Sequence, residues 1–390
     1  MYLHALEGNW LDHPFWRNGF LIQDARTLQK VLESGVQHCF INVEKGADAP
    51  AQSAPEPVRS SEPPPAPKPA PRPERVSLAE EIEYATRLRV RSAQTMRGLF
   101  GEARLGKAID ADACSTLVNE VAQSIDRHPD AFRSLARLKT ADEYTYMHSV
   151  TVCALMVSLS RELGLDEPQC REAGLAGMLH DLGKAVMPQD ILNKPGKLTP
   201  EEFEIIKQHP RRGYEMLLDA KSLPAGVLDV CLHHHERFDG TGYPDRLAAE
   251  GISVFARMGA ICDVYDAVTS NRPYKSGWDP AYALTQMASW QGHFDRAIFK
   301  SFIRCIGIYP TGSLVRLRSG KLAVVVEQNP QALTKPRVKV FFSTKSGEPI
   351  RPEILDLAAA DARDQVESLE PAEKWNFPHL NELWAALKVT

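Results

Sequence analysis

Six of the twelve histidines in this 390-residue chain fall between positions 148 and 235, each in company that a metal ion would favour. They are His148, then His180 followed directly by Asp181, then His209, then the run His233-His234-His235, with Asp263 close behind. Neutral imidazole nitrogen and carboxylate oxygen are donors for borderline and hard divalent ions. No sulfur sits at comparable spacing, so the set points to a catalytic centre and away from a structural zinc knuckle. Consecutive residues on a helix point about 100° apart, so adjacent ligands such as His180-Asp181 and His234-His235 serve one ion poorly. They suit a pair of ions with a bridging carboxylate. Two metals roughly 3.5–4 Å apart are a recurring device for in-line attack on phosphorus.

Each fragment has a plainer explanation when taken alone. A single histidine such as His148 on an amphipathic helix is more often part of the core or the surface. His209, in KQHPRRG, has the context of a helix-end histidine that interacts with the dipole. What outweighs these explanations is the joint occurrence of all the pieces with helical segments between them. Three consecutive histidines cannot all face one cluster, so one of the run must be idle, and spacing alone does not say which. Gly240 and Gly242 are expected to give a tight loop positive φ. The Asp-Gly-Thr-Gly stretch around them lacks the alternating acidic ligands of a calcium loop. Asp266, one turn after Asp263, is expected to support a ligand from behind. Cys231 and Cys262, beside the ligands, read as buried spacers.

Positioning such a set falls to helices, and for over 200 residues the pattern after residue 76 is helical. Leu155, Leu159 and Leu163 repeat at spacing four behind His148. Ala173, Ala176, Gly177 and His180 share one helical face, and small residues there let neighbouring helices close in around His180. Thr199-Pro200-Glu201-Glu202 opens a helix with a cap, a proline at the first position and a capping box. From Gly312 the period changes to β, with strands expected at Leu314–Leu317, Leu322–Val326 and Val338–Phe342, before helix returns from Ala372 to Lys388.

Ahead of the helices, Pro50 to Pro73 holds ten of the 28 prolines and reads as a stiff, extended linker in preference to a P-x-x-P ligand. Before it, Phe20-Leu21-Ile22 predicts a short strand, Asp24–Glu33 a helix capped by Gly35, and Cys39–Val43 a second strand. Trp10, Phe15 and Trp16 need burial somewhere, and a piece this small either docks on the main domain or lacks an N-terminal part. The expected division is a small N-terminal α/β domain over 1–48, a Pro/Ala-rich linker over 49–76, a helical catalytic domain over 77–310, and a β-rich appendage with a terminal helix over 311–390. The fold class is mainly α.

Composition bounds the rest. A 43% hydrophobic, 25% charged chain is that of an ordinary soluble protein, and a net charge of −4 excludes a broad surface for a nucleic-acid polymer. Seven scattered cysteines without a C-x-x-C pair read as reduced thiols of a cytoplasmic protein. Neither a signal peptide nor an apolar run near 18 residues is visible.

The sequence around the ligands carries a specific resemblance. HDLGK (His180 to Lys184) followed by HHERFDGTGYP (His234 to Pro244) resembles the HD-GYP family, bacterial phosphodiesterases of cyclic di-GMP within the HD hydrolase superfamily. DEYTYMHSV (Asp142 to Val150) and DVYDAVTSNRPYK (Asp263 to Lys275) resemble further signatures of that family. The likeness spans about Ser77 to Pro310, and four motifs in order make it specific. It implies an HD-type helical bundle. It implies that His148, His180, Asp181, His209, His234, His235 and Asp263 are metal ligands, with Asp181 bridging and His233 the bystander. By the same resemblance Lys184 touches substrate phosphate, and Tyr243, Arg272 and Lys275 contact the dinucleotide. His180, Asp181 and Lys184 are thus the expected catalytic group. Lysine and arginine supply charge-assisted bonds to phosphate, and arginine also stacks on guanine.

The implied cofactors are two divalent ions, iron or manganese first, with zinc and nickel compatible. The implied reaction is hydrolysis of cyclic di-GMP to linear pGpG by two-metal hydroxide attack on phosphorus, with onward cleavage to GMP left open. Part of the family carries a glutamate four residues before the first histidine, where it helps to hold a third metal. Tyr144 stands there in this chain, so two ions are expected. WLDHPFWRNGF (Trp10 to Phe20) resembles the small domain of unknown function that often precedes HD-GYP domains. Met1-Tyr2-Leu3 looks like the middle of that domain's first strand, so a start upstream of Met1 is expected.

Two rival readings differ in class. An HD hydrolase of another nucleotide is weakened by the Gly-Tyr-Pro and Arg-Pro-Tyr-Lys elements. A non-hydrolytic cyclic di-GMP sensor or signalling scaffold is weakened by the intact ligand set. Protein partners through the N-terminal domain, and a homodimer, stay open.

Overall fold

Short apolar segments that cannot bury themselves alone pair into a sheet at the start of the chain. In the computed structural model, residues 76–132, 144–220, 223–270, 277–329 and 331–375 are described, with short pieces at 2–6, 20–22, 29, 39–41, 377 and 380–385. The chain divides into two compact units, Met1–Ala70 and Pro71–Thr390. In the first, β1 (Tyr2–Leu6) lies between β2 (Phe20–Leu21) and β3 (Cys39–Ile41), antiparallel to both. Tyr2 sits opposite Leu21, and Leu6 opposite Cys39. The helix expected over Asp24–Glu33 lies outside the described residues except for Gln29, which is helical. Gly35, Trp10, Phe15, Trp16 and the linker up to residue 75 also lie outside them.

The second unit begins with α1 (Leu78–Arg104), whose N-terminus is closed by a reciprocal capping box between Ser77 and Glu80. Its partner α2 (Ala111–Arg127) is tied to it by Glu81, which accepts from Arg127 Nε at 2.7 Å and from Ser124 Oγ at 2.7 Å. Next come α3 (Tyr144–Glu162) and α4 (Glu167–Leu179), which pack at glycine range. A Cβ on Gly177 would lie 2.9 Å from Met156 Cγ and 3.0 Å from Cys153 N. Ala173 and Ala176 beside it are fully buried, so the expected small-residue face does bring two helices together just below His180.

A 3₁₀ turn (Leu182–Val186) leads to the short helices α5 (Gln189–Leu192) and α6 (Pro200–Ile206). Thr199 caps α6 in a capping box with Glu202, as its sequence predicts. Then follow α7 (His209–Leu218), α8 (Ala225–His233), α9 (Val254–Thr269), α10 (Pro280–Ser289) and α11 (Arg296–Ile306). Nearly all of α9 is buried, and Arg257 on it pairs with Asp295, the cap of α11, at 2.7 Å.

A five-stranded antiparallel sheet ends the unit, in the order β7-β6-β5-β4-β8: β4 (Leu314–Leu317), β5 (Lys321–Glu327), β6 (Arg337–Ser343), β7 (Glu348–Asp356) and β8 (Val366–Leu369). Both faces are covered. Leu314, Leu322 and Val324 pack with Phe341 and Trp384 on one, and Val315, Ala323, Val325, Val338 and Val340 on the other. The three expected strands are its centre, whereas β7 and β8 were not expected. Both are edge strands, and β7 is mostly exposed and contains Pro349 and Pro352, which an edge tolerates and a pattern search rejects.

The expected continuous helix from Ala372 is also corrected. It is two short helices, α12 (Ala372–Trp375) and α13 (Leu380–Ala385), with non-helical Phe377 packing 4.9 Å from Phe341. A residue before proline disfavours the helical region, and Pro378 follows Phe377. Lys388 lies outside the described residues. The sheet is joined to the helices where Gln328 N donates to Asp130 Oδ2 at 3.3 Å. The architecture is mainly α, and no helix among the described residues is long and apolar enough to cross a membrane.

Candidate metal centre

Helix ends deliver most of the predicted ligands. His148 projects from the first turns of α3, and Asp263 from the middle of α9. His180 is the C-cap of α4, and Asp181 opens the 3₁₀ turn that follows. His209 begins α7, while His234 caps the end of α8 with His235 next to it. All seven converge. Their ligand atoms form two groups, His148-His180-Asp263 and Asp181-His209-His234-His235, with the atoms of each group within 4.8 Å of one another. Six of the residues are buried; the ring of His235, 21% exposed, is the opening to solvent.

Asp181 stands between the groups. Its Oδ1 lies 3.2 Å from His209 Nε2 and 3.7 Å from His234 Nε2. Its Oδ2 lies 3.4 Å from both His148 Nε2 and His180 Nε2. One oxygen thus faces each group, which is the disposition of a bridging carboxylate. Asp263 faces both as well, with Oδ1 3.0 Å from His148 Nε2 and Oδ2 3.7 Å from His235 Nδ1.

The rings are oriented by their outer nitrogens. Nδ1 of His180 donates to Gly177 O at 2.8 Å, Nδ1 of His209 to Ile206 O at 2.8 Å, and Nδ1 of His234 to Val230 O at 3.0 Å. A carbonyl can only accept, so each of these rings is protonated on Nδ1 and turns a bare Nε2 towards the cluster. These carbonyls belong to the last turns of α4, α6 and α8, where backbone acceptors commonly lack intrahelical partners, although Val230 O also accepts from His234 N at 3.0 Å. His148 is oriented differently, by Asp266 Oδ2 at 2.6 Å from its Nδ1. Asp266 thus holds His148 from behind.

Two buried atoms, His180 Nε2 and Asp181 Oδ1, have no hydrogen-bond partner. Leaving such acceptors dry and unpaired is costly, and a cation between them removes the cost. The charge states of His209, His180, His235, Asp181 and Asp263 agree with that occupant, whereas His148, despite its burial, is raised by Asp263 and Asp266 on either side of it. Burial pushes His209 down to about 4 and lowers His180 and His235. Burial alone would raise Asp181, but Lys184 and His180 hold it well below the carboxylate range; Asp263 is held down likewise, chiefly by His148. Neutral imidazole and ionised carboxylate are the forms that bind metal. The residues present therefore fit a divalent-metal site.

Lys184 donates to Asp181 Oδ2 at 2.5 Å and is part-exposed. The Tyr243 ring lies 4.8 Å from that of His235. Arg272 and Lys275 lie outside the described residues. Tyr144 opens α3, one turn before His148. His233 turns away from the cluster, with Nδ1 2.7 Å from Asp229 Oδ1 and Nε2 3.1 Å from Asp245 Oδ2. Cys231 and Cys262 are fully buried.

One expectation is corrected. Gly240 has φ +79°, but Gly242 has an ordinary φ. What Gly242 needs is room, since a Cβ would lie 2.5 Å from Glu236 Cα. The same holds at Gly183, where a Cβ would sit 2.5 Å from Gly213 N and run into the His209 carbonyl. That close crossing brings His209 up to Asp181.

Sequence reasoning missed several neighbours. Buried Glu236 accepts from Asp245 N at 2.7 Å, and Arg211 Nη2 donates to Asp245 Oδ1 at 2.6 Å, so the loop after Tyr243 is pinned at both backbone and side chain. Glu236 follows two ligands directly, which was its only signal. Phe203 and Lys207 carried none, because their relation to Tyr243 is purely spatial.

The HD domain family matches residues 120–298, and a domain of unknown function, DUF3391, matches residues 1–114. The chain is 53% identical over 388 residues to a cyclic di-GMP phosphodiesterase of Pseudomonas aeruginosa, covering 99% of this chain and 93% of that protein. A cyclic di-GMP phosphodiesterase response regulator of Xanthomonas campestris is 39% identical over 180 residues, 44% of this chain and 47% of the other. Among solved structures, an HDG"Y"P protein from Bdellovibrio bacteriovorus aligns with a TM-score of 0.47 and 19% identity, over 57% of this chain and 71% of that one.

Proposed function

We propose, from the premise that this chain belongs to the HD-domain family as an HD-GYP member, that it is a metal-dependent phosphodiesterase acting on cyclic di-GMP. The observation that carries this reading is Asp181, buried, with one carboxylate oxygen facing each of two ligand groups. In this proposal His148, His180 and Asp263 hold one ion, His209, His234 and His235 hold a second, and Asp181 is shared. Two divalent cations in those positions supply Lewis acidity towards a phosphoryl oxygen and lower the pKa of water towards neutrality. Iron or manganese suits this nitrogen and oxygen donor set, and zinc and nickel are compatible with it. Tyr144, in the place of the family's glutamate, limits the site to two ions.

The chain's own groups supply the rest. The Nδ1 bonds of His180, His209 and His234 fix three rings before substrate arrives, so no reorganisation is needed at the moment of reaction. Lys184, beside Asp181, places an ammonium where negative charge grows on the phosphoryl oxygens. Tyr243, Arg272 and Lys275 hold the dinucleotide. The product in this proposal is linear pGpG, with onward cleavage to GMP open. Cys114, Cys153, Cys170, Cys231, Cys262 and Cys305 are free thiols, which supports a reducing, cytoplasmic setting.

The test is to load the protein anaerobically with iron or manganese, incubate it with cyclic di-GMP and separate the products by chromatography. Accumulation of pGpG is expected. Tight binding without turnover under either metal would overturn the proposal.

A further inference from the structure

We propose that Phe203 and Lys207, together with Tyr243, form a guanine-binding corner at the mouth of the metal centre; this rests on the reading of the protein as a cyclic di-GMP phosphodiesterase. Phe203, on α6, is 45% exposed, although it is large and apolar. Its ring centroid lies 6.3 Å from that of Tyr243 at an interplanar angle of 83°. Tyr243 in turn lies 4.8 Å from the ring of His235, the most exposed ligand. Aromatic rings thus run in a row from the metal ligands out to solvent. Lys207 places its Nζ 5.4 Å from the Phe203 centroid and 5.5 Å from that of Tyr243. Two residues later the chain supplies His209, whose ring is fixed by Ile206 O at 2.8 Å. Corner and ligand therefore share one short, tightly held segment.

A purine offers a π face to such a row, and stacking of this kind tolerates an edge-on second ring as a wall. The ammonium adds selectivity. Guanine presents two acceptors, O6 and N7, on one edge, whereas adenine replaces O6 with an amino donor that a lysine cannot pair with. Glu204 holds Lys207 Nζ at 2.7 Å, but the glutamate side chain is 68% exposed, and exposed pairs of this kind are weak enough for a ligand edge to compete. Every phosphate of a cyclic dinucleotide is flanked by two nucleosides, so a phosphate held at the metals brings a base to the adjoining wall.

The experiment compares metal-loaded full-length protein with its Phe203→Ala and Lys207→Met variants on three substrates: cyclic di-GMP, cyclic di-AMP and methyl p-nitrophenyl phosphate, a diester without a purine. In Phe203→Ala the loss of kcat/KM on cyclic di-GMP is expected to exceed the loss on the small diester by about tenfold, through KM. In Lys207→Met the preference for cyclic di-GMP over cyclic di-AMP is expected to fall about tenfold. Equal losses on the dinucleotide and the small diester in Phe203→Ala, or an unchanged guanine preference in Lys207→Met, would overturn the proposal. Turnover of the small diester by the unmutated protein with none of cyclic di-GMP would instead sink the substrate reading on which it stands.

Discussion

The metal centre and the C-terminal sheet are both buried, but their interiors are opposites. The sheet is closed by Val, Leu and aromatic side chains on both faces, and its interior is held by apolar area removed from water. The metal centre buries four imidazoles and two carboxylates beside the part-exposed His235, with His180 Nε2 and Asp181 Oδ1 unpaired. Buried polar atoms of that kind cost free energy until something charged pairs with them. One region is therefore complete as a polypeptide, whereas the other is completed by its ligand.

That contrast can be broken in four ways, in decreasing order of effect. Asp181→Asn removes the carboxylate shared by both groups, and hydrolysis should fall by well over the about 100-fold that marks the upper range for an outer partner of a ligand. Activity retained within tenfold would show that the two groups act independently. Leu322→Ala, at a fully buried sheet position, should cost about 2–5 kcal/mol in denaturant unfolding while metal content by elemental analysis stays at the wild-type value. A loss of metal in that variant would show that the two interiors are coupled. Adding divalent metal at about 100 times its dissociation constant to chelated protein should raise stability by about 2.7 kcal/mol, read as a rise in melting temperature. The same increment should persist in Leu322→Ala, because sheet packing does not bind the ion. Asp266→Asn keeps the shape beneath His148 but removes the charge at 2.6 Å from its Nδ1, so metal affinity or activity should fall about 10–100-fold. An unchanged affinity would mean that the backbone of α3 alone orients the ring.

The two regions also differed in how far their sequences could be read. The seven residues that converge were legible because imidazole and carboxylate are rare in cores, and because four motifs follow one another in a fixed order. The central strands were legible because Leu322 to Val326 is continuously apolar. What escaped detection depends on the third dimension. β7 is an exposed edge strand with two prolines, so it carries neither alternation nor burial. Gly242 was read as a φ requirement, whereas its need is space against Glu236, which no local pattern encodes. Phe203 and Lys207 lie forty and thirty-six residues before Tyr243, and their relation to it appears only once α6 has docked.

The rings of His180, His209 and His234 have a double duty with a kinetic consequence. Each occupies the last carbonyls of a helix with one nitrogen and faces the cluster with the other. Such a ring cannot swing away from an ion unless its helix end lets go as well. Departure of a metal would thereby be gated by fraying at the end of α4 in one group and at the ends of α6 and α8 in the other, openings far smaller than unfolding. Residence of the ions should accordingly be long compared with the ordinary motion of any one side chain, and amide exchange in the final turns of α4, α6 and α8 is where their presence or absence would be felt first.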